Sequence, residues 1–346
     1  MLKDENGKDH AVFSGDTLFI GDVGRPDLAI KGNVTMNDLA GMLYDSLQSK
    51  IIPLADDVIV YPAHGPGSSC GKNMSNETFS NVGNQKRLNY ALQDMTRDEF
   101  IHAVTEGITP PPQYFAKDAL KNKTGYDSFD AVMERNMKGL DVHSFKTKMD
   151  DGAIVIDTRK PQVFAKSFVK GSLSISLCGS YAVWVGTLIE DMNHPLLVVC
   201  KPGSEEESIR RLARVGYENV KGYLQDGFNS WSNAGMEIDR IEDLEDRDSF
   251  DLVNQKEKVL DVRKPVEYEA GHVANAENIP LNYMPTNLAQ LSRDREYMVH
   301  CQTGYRSMIA CSLMKSLGFR KVKNVKNGIE GLENVGVKII QEEMAD

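Results

Sequence analysis

At 346 residues the chain is too long for one ordinary core, since domains settle near ~100–150 residues, and two or three domains are expected. Hydrophobic residues at 41% and charged residues at 26% suit a soluble globular protein, with no run near the roughly 18 apolar residues of a membrane span. A formal net charge of −10 argues against nucleic acid as a partner, because a phosphate backbone needs clustered Lys and Arg.

In chain order, the strand-like "HAVFSGDTLFIGDVGRPDL" (10–28) delivers Asp16 at a Gly-Asp turn, and "DVIVYPAHGPG" (57–67) delivers His64 just past a strand end. An aspartate and a histidine at the ends of neighbouring strands can meet at one metal. Spacing alone leaves a turn aspartate and a loop histidine as the simpler reading. "GITPPPQYF" (107–115) carries three consecutive prolines that no helix or central strand tolerates. It ends a first unit, 1–106, and opens a connector, 107–138.

The rest of the chain is a tandem duplication. "AIVIDTRKPQVF" (153–164) recurs as "KVLDVRKPVEY" (258–268), and "LLVVCKPGSEEES" (196–208) as "YMVHCQTGYRS" (297–307). Asp157 to Asp261 is 104 positions and Cys200 to Cys301 is 101, so each copy has roughly a hundred residues. Short apolar runs alternate with helix-periodic segments, which predicts parallel sheets wrapped by helices. The copies fall at 139–238 and 251–346, separated by an acidic stretch, "DRIEDLEDRDSF", read as a linker over 239–250. In the second copy Ile309, Leu313 and Leu317 lie on one helical face with Gly318 as the stop, which starts the helix at or just inside Arg306.

Five cysteines, Cys70, Cys178, Cys200, Cys301 and Cys311, form an odd, scattered set that fits reduced thiols in the cytoplasm better than disulfides. The N-terminus shows no basic region followed by an apolar stretch, so neither a secretory signal nor an anchor is expected from it. Cys301 ends a strand, and Gln302, Thr303, Gly304, Tyr305 and Arg306 form a short loop into a helix. Inward-turned loop amides, the positive helix end and the Arg306 guanidinium favour an anion there: first a thiolate, then the terminal sulfur of a persulfide. Gly304 lets the loop turn tightly and Ser307 is expected to cap the helix. The first copy serves as an internal control. Cys200 is followed by Glu205, Glu206 and Glu207 at the helix start, where negative side chains satisfy the dipole and repel a thiolate. Cys200 is therefore expected to be inactive, and Cys178 and Cys311 to be packing residues.

Over 251–335, "LDVRKPVEYEAGHVANAENIPL", "VHCQTGYRS", "SLGF" and "VKNVKNGIEGL" together resemble a rhodanese domain. The resemblance implies that Cys301 accepts sulfur, that residues 302–306 cradle it, and that Asp261 and Arg263 belong to a structural element. The six-residue loop is similar to the sulfurtransferase form, not to the longer arginine-ended phosphatase loop. "SGDTLFIGDVGRPDL" and "YPAHGPGSSCGKN" resemble the later half of a metallo-β-lactamase-type domain, in the branch of glyoxalase II and persulfide dioxygenases. The implied fold is α/β: a partial metallo-β-lactamase-type αββα unit followed by two tandem rhodanese-like domains with parallel sheets.

The implied order is that of bacterial persulfide dioxygenase–rhodanese fusions, with thiosulfate, sulfite and small-molecule thiols and persulfides as partners. By the same resemblance Asp16 is a metal ligand, His64 lies in the outer shell, and Cys70 exchanges persulfide sulfur. A rhodanese needs no cofactor, whereas a complete family member holds iron, or zinc in the hydrolases. The seven histidines include no H-x-H pair, so iron is expected to be weak or absent and the first unit reads as truncated, or as a gene reading begun at an internal methionine. An uncovered apolar sheet face then predicts a homodimer or poor order in 1–106. The alternatives are a non-catalytic sulfur-relay or partner-binding module and a glyoxalase II-type metal hydrolase.

Overall fold

The computed structural model describes all residues except 30–32, 66–69, 73, 109–110, 112–113, 126, 256 and 342–346. The chain divides into two compact units, Met1–Pro111 and Pro112–Asp346. Of the proline run 110–112, residues 110 and 112 lie outside the described residues.

In the first unit a four-stranded sheet runs in the order Leu2–Lys3, Asp9–Gly15, Ile59–Pro62, Ser80–Asn81. The two central strands are parallel, with Gly15 opposite Pro62, so their carboxyl ends lie side by side. Strand alternation turns Val12 and Val60 to a core with Leu18, Val58, Val82 and Phe100, and turns Phe13 and Tyr61 to the other face. There the stacked rings of Phe13 and Tyr61 stand 5.6 Å apart, with Phe79 6.0 Å beyond. All three are exposed. Two helices, Met36–Ser46 and Arg97–Thr105, begin with capping boxes, Thr35 with Asp38 and Thr96 with Glu99, which satisfy helix-start amides reciprocally.

The second unit holds two five-stranded parallel sheets. One runs Leu173–Ser174, Ile154–Asp157, Leu196–Val199, Val220–Leu224, Gly139–Leu140. The other, read in the same direction, runs Glu277–Asn278, Val259–Asp261, Glu296–His300, Lys321–Val325, Glu242–Leu244. Both central strands of the first sheet are buried on two faces. Ile156, Leu196 and Val198 enter one core cluster, and Val155, Leu197 and Val199 another. This two-sided burial is why a continuous β-branched and leucine run forms a parallel strand.

Two sequence expectations are corrected here. The acidic segment 239–250 is not a linker: Glu242–Leu244 is the edge strand that matches Gly139–Leu140, and Asp246–Asn254 is a helix. Three residues with two carboxylates carry too little apolar periodicity to announce a strand, and Asp243 is accommodated by an Asn324 amide at 2.7 Å. Likewise 107–138 is not a mere connector. It forms helices Tyr114–Thr124 and Phe129–Asn136, and Tyr114, Phe115 and Met133 pack into the first copy's core.

Helix Tyr305–Ser316 also departs from a single apolar stripe. Ser307, Met308, Ile309, Ala310, Cys311, Ser312 and Met314 are all buried, whereas Leu317 is 41% exposed. The helix lies between its own sheet and the first copy, so burial runs round most of its circumference. One core cluster accordingly joins Phe164, Ala165 and Phe168 of the first copy to Leu260, Val299 and Met308 of the second.

Candidate functional site

Cys301 follows the strand Glu296–His300 directly, and its side chain is 1% exposed. Its Sγ accepts the Gly304 N–H at 3.2 Å and the Ser307 hydroxyl at 3.5 Å. Gly304 precedes the helix at φ +88°, and a Cβ there would lie 1.9 Å from the Lys326 carbonyl. Only glycine fits such a left-handed, crowded position. Gly328 is constrained in the same way: at φ +60°, a Cβ would meet the carbonyls of Gln302 and Cys301 at 2.4 and 2.5 Å. The Ile329 N–H holds the Cys301 carbonyl at 2.8 Å. Two glycines thus let the segment 326–329 close over the loop.

The expected role of Ser307 is corrected. The helix begins at Tyr305 with Gly304 as its cap residue, and Ser307 bonds the sulfur instead of capping. Arg306 is also differently engaged. Its Nη1 and Nη2 donate to Glu267 Oε2 and Oε1, both at 2.7 Å, a bidentate pair that fixes the guanidinium plane. Burial works against both charges, but the paired bonds and attraction outweigh it, holding Glu267 below and Arg306 above their ordinary values. Because a carboxylate matches the arginine charge, the unopposed donors at the sulfur are the amide and the hydroxyl.

Beneath the loop, buried Asp261 receives Nε and Nη2 of Arg263 at 3.0 and 2.7 Å, and Arg263 Nη1 reaches Gln302 Oε1 at 3.3 Å. The strand pair is thereby tied to the cradle. His300 Nδ1 lies 3.3 Å from the Cys301 carbonyl, and burial lowers its pKa despite Asp261 nearby. Thr303 is exposed at the loop tip. Cys311 is buried, and that burial raises its thiol well above the ordinary value, as a packing residue should behave.

The first copy repeats this frame with a different filling. Asp157 and Arg159 pair as Asp261 and Arg263 do, Arg159 Nη2 reaching Asp157 Oδ2 at 2.6 Å. Gly203, three residues after Cys200, holds the position of Gly304. Its N–H, however, donates to the Glu205 carboxylate at 2.8 and 3.1 Å. The first side chain of the following helix therefore takes the amide that corresponds to the one bonded to sulfur in the second copy. Burial first, then Glu205 and Asp157, push the Cys200 thiol up to about 12. Cys200 lines a 610 Å³ cavity together with Cys178, Leu177, Pro202 and Phe228. Cys178 is not the packing residue expected: it is exposed, with its Sγ 3.1 Å from Ser176 Oγ.

Glu267 was missed by sequence reasoning, although the duplication contained the signal. After the shared Lys-Pro, the second copy has Val266-Glu267 where the first has Gln162-Val163. The first copy thus lacks both Glu267 and Arg306, as expected of two residues that exist for each other.

In the first unit the structure brings Asp16, His64 and Cys70 together. Their donor atoms lie within 4.8 Å of one another, with His64 Nε2 3.5 Å from Asp16 Oδ1. Parallel pairing of the two central strands places the first two. A backbone bond from Arg25 N to the Cys70 carbonyl at 2.9 Å fixes the third. With one histidine in place of two, this set does not fit the two-histidine, one-carboxylate site of non-haem iron. A sulfur, nitrogen and oxygen donor set is the kind zinc takes. Among the described residues no other group of three such donors comes together.

A comparison with protein families matches the rhodanese-like domain at residues 141–234 and 247–334, together more than half of the chain. The chain belongs to the rhodanese-like domain family. A curated protein of Allochromatium vinosum named sulfurtransferase is 28% identical over 85 residues, 25% of this chain and 79% of that protein. The crystal structure of a metallo-beta-lactamase from Staphylococcus aureus matches with a TM-score of 0.52 at 22% identity, over 62% of this chain and 58% of that one. At that identity the likeness is one of fold. The chain thus combines two rhodanese-like domains with a likeness of fold to a metallo-beta-lactamase. Among the described residues no helix is long and apolar enough to cross a membrane.

Proposed function

We propose that the chain is a sulfurtransferase working through Cys301. The Cys301 thiolate attacks the outer sulfur of thiosulfate or of a low-molecular-weight persulfide. The old sulfur–sulfur bond breaks, its electron pair leaves with sulfite or with the parent thiolate, and Cys301 carries the new terminal sulfur as an anion. An acceptor thiolate or sulfite then attacks that outer sulfur, and the pair returns to Cys301. The observation that carries this reading is the amide and hydroxyl pair already aimed at Cys301 Sγ, at 3.2 and 3.5 Å. Donors fixed before charge arrives need no reorganisation as it develops.

The physiological setting we propose is sulfide and persulfide detoxification, beside persulfide dioxygenase chemistry. No dioxygenase or hydrolase step is drawn through Asp16, His64 and Cys70. The test is persulfidation and turnover with thiosulfate: Cys301→Ser abolishes both and Cys200→Ser leaves both intact. Wild-type Cys301 that takes up no sulfur from thiosulfate or a small persulfide would assign these domains to partner binding instead.

A further inference from the structure

The first copy keeps a complete five-stranded sheet and a buried cysteine whose neighbouring loop amide is taken by Glu205, and it is packed against the helix that opens from the Cys301 loop. Tyr305 is the first residue of that helix. Its hydroxyl donates to the Ser176 carbonyl of the first copy at 3.2 Å. Its ring lies flat against Gly179, where an added Cβ would sit 2.3 Å from the ring carbon Cζ. Further along the same helix, the Ser312 hydroxyl accepts the Ser174 N–H at 2.9 Å, and Lys315 pairs with Asp239 at 3.1 Å. The helix start, next to the Gly304 N–H that the sulfur accepts, is thus gripped from the neighbouring copy at its first residue.

From this we infer that Tyr305 is a positioning residue. Held by Ser176 and Gly179, it fixes the amide end of the helix against Cys301, so that the first copy takes part in sulfur transfer without using its own cysteine. The inference rests on the sulfurtransferase reading of Cys301. It assigns the Tyr305 side chain to the seam between the copies and leaves only its backbone to the cradle. Gly179 is then a shape requirement, since any side chain there drives the ring, and the turn attached to it, away from its seat. The geometry also explains why a degenerate copy is retained: a loop that must hold an anion within a few tenths of an ångström needs a rigid wall behind it.

The experiment compares the full-length wild type with Tyr305→Phe and Gly179→Ala. Two quantities are read: the rate of iodoacetamide alkylation of Cys301 against pH, located by peptide mass, and the rate of single-turnover gain of one sulfur from thiosulfate. Tyr305→Phe keeps the ring and the fold and is expected to slow sulfur uptake about two- to tenfold, the size of one net hydrogen bond. The alkylation profile should move to higher pH. Gly179→Ala displaces the ring and should cost more, on the order of ten- to a hundredfold. A lowered melting temperature with an unchanged alkylation profile and unchanged sulfur uptake in Tyr305→Phe overturns the inference, whether or not Gly179→Ala folds. If alkylation shifts in Tyr305→Phe while even the wild type takes up no sulfur, the positioning role stands and the sulfurtransferase reading fails.

Discussion

At the scale of the residue, the two cysteine loops differ by where one carboxylate sits. Glu205 occupies its own loop's amide, whereas Glu267 reaches across to hold Arg306 and leaves the Gly304 N–H to sulfur. Glu205→Gln should therefore raise Cys200 alkylation at neutral pH, but only in part, because burial is the larger cause of its raised pKa. Peptide-mapped alkylation tests this, and a Cys200 that becomes as fast as Cys301 would contradict the ranking of causes. Glu267 has a pKa held below the unfolded value, so its pairing stabilises the fold above the ordinary carboxylate pKa. That contribution is lost as pH falls through the lowered folded value. Glu267→Gln should flatten the acid side of the thermal-midpoint profile below about pH 5 and slow sulfur transfer, since a half-buried arginine loses its partner. An acid limb identical to wild type would argue against the clamp.

At the scale of the element, the strands and the cysteine loop were legible because parallel-sheet burial and glycine-dependent turns leave dense local patterns: the paired Asp-x-Arg segments, the apolar runs and Gly304. What stayed hidden depended on contacts distant in sequence. The edge strand Glu242–Leu244 is stabilised by pairing with Lys321–Val325, a partner that its own charged residues do not announce. The extra burial of helix Tyr305–Ser316 beyond one face comes from a neighbouring domain, which helical periodicity cannot register. The Ser312 hydroxyl is one such contact. Ser312→Ala leaves the Ser174 N–H without its partner and should cost about 1–3 kcal/mol, read as a lowered denaturant midpoint. A loss within error of zero would mean that water takes the serine's place. In the first unit, strand ends in the sequence allowed Asp16 and His64 to meet, and their parallel pairing brings them together. The arrival of Cys70 depended on a loop bond at Arg25 that spacing does not encode.

At the scale of the whole molecule, the exposed row Phe13, Tyr61 and Phe79 gives the first unit an uncovered aromatic sheet face, the kind of surface that drives association. Self-association that weakens on Phe13→Ser is the expected outcome in sedimentation velocity, and a chain that stays monomeric at high concentration would contradict it. The metal content should show little iron, because the donor set has a single histidine. The central claim concerns the asymmetry of the two copies: one anion seat open to sulfur, the other closed by its own glutamate. Its most direct measurement is mass spectrometry of the cysteine peptides after brief exposure of the intact chain to thiosulfate or a small persulfide. The account predicts one added sulfur on Cys301 and none on Cys200; sulfur shared equally between them, or found on Cys200 alone, would contradict it.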